Sequence, residues 1–222
     1  MNEHNFANSL QESHDAEDLP IWEEMYRQAF PTMIAMHNHR GDGQHQRNGI
    51  DRSVILDNGK QIWIDEKIRK VDYGDIILEY LSDSERNVPG WVCKPLLADY
   101  IAYAIAPTGI GYLLPVLQLQ SVWREHGERW IAESEAKTNG RRVVPAENRF
   151  NGREWLTLSA PVKPIELFPL IGKCLRVNFA AYAFDEKSKT YSRISAVSQP
   201  PAKPTAKPVV RQATFYENIP IP

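Results

Sequence analysis

The chain has 222 residues, enough for one domain with a sizeable core. At 42% hydrophobic and 24% charged it has an ordinary soluble globular composition, which excludes a disordered or fibrous chain. The net charge of −2 supplies no overall basic field, so any nucleic-acid contact must come from local clusters of positive charge. Cys93 and Cys174 are too far apart for a CxxC motif and read as reduced, buried residues of a cytoplasmic protein. No apolar signal segment is visible in the first 20 residues. The longest apolar stretch, 101–119, is interrupted by Pro107, Gly109, Gly111 and Pro115, so no membrane span is expected.

In chain order, residues 1–17 are polar, lack periodicity and read as a flexible arm. Asp18 is placed to cap a helix and Pro20 suits its first turn. Ile21, Trp22, Met25, Tyr26, Ala29 and Phe30 then fall at helical spacing. Residues 37–47 gather His37, His39, His45, Arg40 and Arg47 in a loop. The histidines lack the spacing of a zinc finger, and the arginines suit phosphate contacts.

Residues 48–80 read as three strands joined by two turns. Asp57-Asn58-Gly59 is a hairpin turn signal, and pairing outward from it brings Asp51 roughly level with Asp65 to Lys67. Alternation along the strand sends Asp65 and Lys67 to one face and Glu66 to the other. Two carboxylates and a lysine therefore converge. Carboxylates suit a hydrated Mg²⁺, which activates water and neutralises phosphate charge, and a nearby lysine can stabilise the transition state.

An acid on one strand followed by acid-any-lysine on the next, here Asp51 and Asp65-Glu66-Lys67, resembles the PD-(D/E)XK nuclease superfamily. The likeness spans roughly residues 15–125. The proline usual before the first acid is replaced by Gly49-Ile50. The resemblance implies a restriction-endonuclease-like α/β fold, a mixed central sheet flanked by helices in the order α-β-β-β-α-β with C-terminal additions. It implies Mg²⁺ as cofactor, with Mn²⁺ able to substitute, and nucleic acid, most readily DNA, as substrate. Asp51 and Asp65 would hold the metal, Lys67 would position water, and Glu24 (on the first helix) and Glu79 would be auxiliary ligands. Duplex cutters of this fold often pair, so a homodimer is one expectation.

After the hairpin, 75–80 reads as a buried strand beside the second, 91–94 as a short strand and 95–106 as an amphipathic helix. A strand at 111–114 and a helix over 115–135 follow, completing the order that the resemblance implies. Residues 138–153 hold Arg141, Arg142, Arg149 and Arg153 near Phe150 and Trp155, a candidate nucleic-acid strip. A strand at 154–159, a helix at 165–171 and a strand at 174–184 end a single domain over 18–197. Residues 198–222 open with a proline-rich run that reads as an extended tail.

The expected function is that of a small, phage-like metal-dependent nuclease hydrolysing phosphodiester bonds, most readily in DNA. The alternatives are an inactive nuclease-fold nucleic-acid-binding protein and an assembly protein. Neither needs a metal.

Overall fold

A computed structural model describes residues 19–194. The arm over 1–17 and the tail over 198–222 lie outside the described residues. The elements are α1 (Pro20–Ala29), β1 (Met33–Asn38), α2 (Gly43–Arg47), β2 (Arg52–Leu56), β3 (Gln61–Arg69), β4 (Ile76–Asp83), β5 (Val88–Pro89) and β6 (Tyr100–Ile105). After a 3₁₀ turn come β7 (Ile110–Pro115), α3 (Val116–Glu135), β8 (Val144–Phe150), β9 (Arg153–Val162), α4 (Pro164–Ile171), β10 (Leu175–Asn178), β11 (Tyr182–Asp185) and β12 (Thr190–Arg193).

The class is α/β. A mixed sheet runs β1-β2-β3-β6-β7-β10, a second sheet runs β5-β4-β9-β8, and β11 pairs with β12. Within the larger sheet only β3 and β6 are parallel. That sheet is covered on both faces, and its strands alternate accordingly. Ile101, Tyr103 and Ile105 of β6 join α3, β4, β9 and α4 in one core, whereas Ala102 and Ala104 face α1 in another. The small residues on the second face let α1 sit close. A Cβ on Gly111 of β7 would fall 2.5 Å from the Met25 methyl group, so a larger residue there requires the Met25 side chain to shift.

Four expectations are corrected. Residues 95–106 do not form a helix: 100–105 are β6, whose apolar run YIAYAI is buried on both faces. A continuous apolar run of this length fits either state by periodicity, and β3 supplies the parallel neighbour that makes it a strand. No helix therefore joins β3 to β6, and the first long helix after the hairpin, α3, follows β7 instead. The strand read at 75–80 exists as β4, but it pairs with β9 rather than with β3. Residues 91–94 form a turn rather than a strand. Cys93 is exposed rather than buried.

Residues 138–153 are also not an open basic strip. Arg141 is buried, with Nε 2.8 Å from Glu133 Oε2 and its other nitrogens donating to Glu166 and the Pro161 carbonyl. It ties α3 to α4 and β9 and is not free for phosphate. Arg153 pairs with Asp83, and Arg149 lies 3.4 Å from Glu154. Arg142 is exposed. Among the described residues, no helix is long and apolar enough to cross a membrane.

Candidate functional site

The β2–β3 hairpin sets the geometry. Arg52 is opposite Ile64 and Asp51 N–H donates to the Ile64 carbonyl at 2.9 Å, which places Asp51 beside Asp65. The Asp51 carboxylate accepts the Glu66 backbone N–H at 2.8 Å, locking its rotamer against β3. Lys67, two residues on from Asp65 and on the same face, places Nζ 2.5 Å from Asp65 Oδ1. Its ammonium also lies 6.0 Å from the centre of the Trp91 ring.

Glu79 on β4 faces Lys67 from the second sheet, where Lys67, Lys94 and the Trp91 backbone amide favour its charge. So Asp51, Asp65, Lys67 and Glu79 share one side of the sheet, where β4 and the 90–94 turn form a wall. Gly90 makes that wall possible. A Cβ there would sit 2.2 Å from the Glu79 carbonyl oxygen and 2.5 Å from its carbon, both backbone atoms. Gly90→Ala should therefore push the turn away from β4 and cost about 1–3 kcal/mol, measurable by urea unfolding.

The opposite face holds Glu66, whose side chain is 0% exposed. Arg52 Nε and the Tyr26 hydroxyl each donate to Oε1 at 2.6 Å, and Arg40 Nη2 lies 3.2 Å from Oε2. The same Arg40 nitrogen is 3.4 Å from Asp51 Oδ2, so one buried guanidinium links the two faces. Arg40 is accordingly an internal ion-pair partner and not the phosphate contact its loop suggests. Arg47, on α2, is exposed.

Glu24 is not brought to this group. It accepts the Ala180 N–H at 2.7 Å and holds the β10–β11 connection to α1. On a helix, residues two apart point about 200° apart, so with Tyr26 directed at Glu66, Glu24 faces away.

The electrostatics follow from burial. Asp65 is pushed up to about 7, chiefly because burial disfavours its charge; Lys67 opposes this and Asp51 adds to it. For Asp51, burial is outweighed by Lys67 and Arg40, and its carboxyl stays below the usual range. Burial would lower Lys67, but Asp65 and Asp51 overcome it and keep the ammonium charged. Burial raises Glu79 despite Lys67 and Lys94. Glu66 is raised by burial, with Arg52 and Arg40 opposing.

Asp51 and Asp65 are the pair that could hold a divalent cation. Two adjoining carboxylates, one of them forced to keep a proton to near neutral pH, form a donor set that a dication would relieve. Two carboxylates with water completing the shell is also an arrangement Mg²⁺ accepts. Among the described residues no cluster of three His, Cys, Asp or Glu side chains converges as a metal cage.

Sequence reasoning missed a ring cluster on the Asp65 face. Ser53 pairs with Trp63, and His39 Nε2 lies 2.8 Å from Ser53 Oγ. The His39 and His45 rings stack at 4.4 Å and 16°, and each centre is 5.5 Å from that of Trp63. Asp42 caps α2 and fixes His45, with Oδ2 2.8 Å from Nδ1. The stacked imidazoles present faces to each other rather than lone pairs to a common point. Alternation on β2 and β3 placed Ser53 and Trp63 on the Asp51 and Asp65 face, but the loop's return over them carried no local signal.

No protein-family model matches this chain, and neither a curated protein nor a solved structure does so.

Proposed function

We propose that the chain is a divalent-metal-dependent nuclease that hydrolyses phosphodiester bonds, most readily in DNA. The observation that carries this reading is the convergence of Asp51, Asp65 and Lys67 on one sheet face at the register their hairpin dictates. The resemblance to PD-(D/E)XK nucleases rests on those residues. The β3-to-β6 connection without a helix departs from that superfamily's order, so the fold-level likeness is limited to the hairpin, the flanking α1 and a mixed sheet.

Asp51 and Asp65 would hold Mg²⁺ or Mn²⁺. When bound, the cation supplies an acidified water and neutralises charge on the phosphate. Lys67 remains an ammonium, so it donates hydrogen bonds to the attacking water or to a phosphoryl oxygen rather than taking a proton. Glu79, on the neighbouring sheet, adds negative charge that favours the Lys67 ammonium. Arg40 fixes Asp51.

The test is cleavage of supercoiled, linear and single-stranded DNA with Mg²⁺ or Mn²⁺, beside Asp65→Ala and Lys67→Ala proteins. Cutting that requires metal and fails in both variants supports the reading. A wild-type protein that neither cuts nor binds metal in calorimetry overturns it. The second reading, a nucleic-acid-binding protein without chemistry, is favoured by one observation: Lys67 and Arg40 already neutralise the two carboxylates.

A further inference from the structure

We propose that His39, His45 and Trp63 form a stacking platform for one unpaired nucleobase next to the scissile phosphate. The substrate class would then be single-stranded or locally opened nucleic acid. This takes its setting from the nuclease reading and deepens it.

Three observations carry it. First, Trp63 is a half-buried tryptophan that belongs to neither hydrophobic core, although it lies on the central strand β3. Two imidazoles from a polar loop pack against its ring, each 5.5 Å away.

Second, the ring planes are set by polar anchors. Ser53 holds His39 and Asp42 holds His45. The loop is pinned by the His39 N–H on the Asp51 carbonyl at 2.8 Å and the Ile50 N–H on the His45 carbonyl at 3.0 Å. Rings fixed in this way need little further ordering when a base arrives. The His45 side chain is 30% exposed, which leaves part of the platform open.

Third, the platform is in register with the carboxylates. Trp63 precedes Asp65 by two residues on the same face of β3, a rise of about 7 Å. That matches the reach from a phosphate to its own or the adjoining base. Arg47 on α2 is exposed on the same loop segment and can hold a flanking phosphate. A base inside a duplex has both faces stacked, so only an unpaired base can use such a surface.

The experiment uses the full chain in EDTA, where no cleavage competes. Binding of a labelled oligodeoxythymidine of roughly 12 nucleotides is compared with that of a duplex hairpin of equal length. Tryptophan fluorescence is followed in parallel, with Trp63→Phe identifying the Trp63 share. The proposal expects preference for the single strand, quenching that is reduced in Trp63→Phe, and an affinity lowered about five-fold or more in His45→Ala. His39→Ala provides a second variant should His45→Ala disturb α2, which circular dichroism reports.

Equal affinity for both oligonucleotides, or unchanged single-strand affinity in both histidine variants, overturns the platform. Its failure is distinguishable from failure of the nuclease reading. A protein that cuts with metal but is indifferent to these rings loses only the platform. One that binds the single strand through them but cuts nothing loses only the nuclease.

Discussion

Glu66→Ala should lower the stability of the folded chain by about 3–5 kcal/mol, a fall of roughly 10 °C in Tm. The reason is the company Glu66 keeps. Its fully buried carboxylate receives Arg52 Nε and the Tyr26 hydroxyl at 2.6 Å and faces Arg40 at 3.2 Å. Deleting it leaves two guanidinium groups inside the protein with half their counter-charge gone and a buried phenol without its acceptor. Removing one partner of a buried ion pair costs far more than the pair contributes net, because the remaining charge cannot return to water. Tyr26→Phe should cost less, about 1.5–3 kcal/mol, since it removes one hydrogen bond to a charged group. The double variant should fall short of the sum, because the two groups share a bond. Urea unfolding of the three proteins measures this. Additive losses would show that the contacts are independent.

On the proposed nuclease reading, Asp65→Ala should reduce metal-dependent cleavage to background, and Lys67→Ala should reduce it by roughly 10²–10³-fold. The pH dependence discriminates further. With Asp65 raised to about 7, the native chain holds a proton between about pH 4 and 7 that the unfolded chain has released. Asp65's contribution to stability therefore declines as pH rises through that window. A divalent cation must displace the same proton, so its affinity should weaken about tenfold per pH unit below 7, with about one proton released on binding at pH 6 and almost none at pH 8.5. Calorimetry in buffers of different ionisation enthalpy reads this directly. Metal binding with no proton release at pH 6 would place the cation elsewhere.

The hairpin was legible because its register is local. Asp57-Asn58-Gly59 fixes where pairing begins, and a period of two then assigns Asp51, Asp65 and Lys67 to one face and Glu66 to the other. The partners of those residues were not legible. Arg40, Arg52 and Tyr26 reach Glu66 from three elements, and each looks in sequence like an ordinary polar or helical residue. Arg141 belongs to the same class: a strip of arginines reads as a nucleic-acid surface until Glu133 and Glu166 are brought to it by α3 and α4. Glu24 suited a metal site by position in the chain alone, and helix phase turned it toward Ala180. Residues 100–105 were misread because an apolar run buried on both sides has no period to distinguish strand from helix.

β4 stands between β3 and β6 in the chain yet finds its partner in β9, which lies beyond α3. During synthesis from the N-terminus, the Asp51–Asp65 hairpin can close as soon as it leaves the ribosome, since its contacts are neighbours in sequence. β4, which carries Glu79, cannot pair with β9 until residues 153–162 have emerged. The growing chain thus carries Asp51, Asp65 and Lys67 together long before the second sheet closes over them, and the burial that raises Asp65 arrives only with β4 and β9.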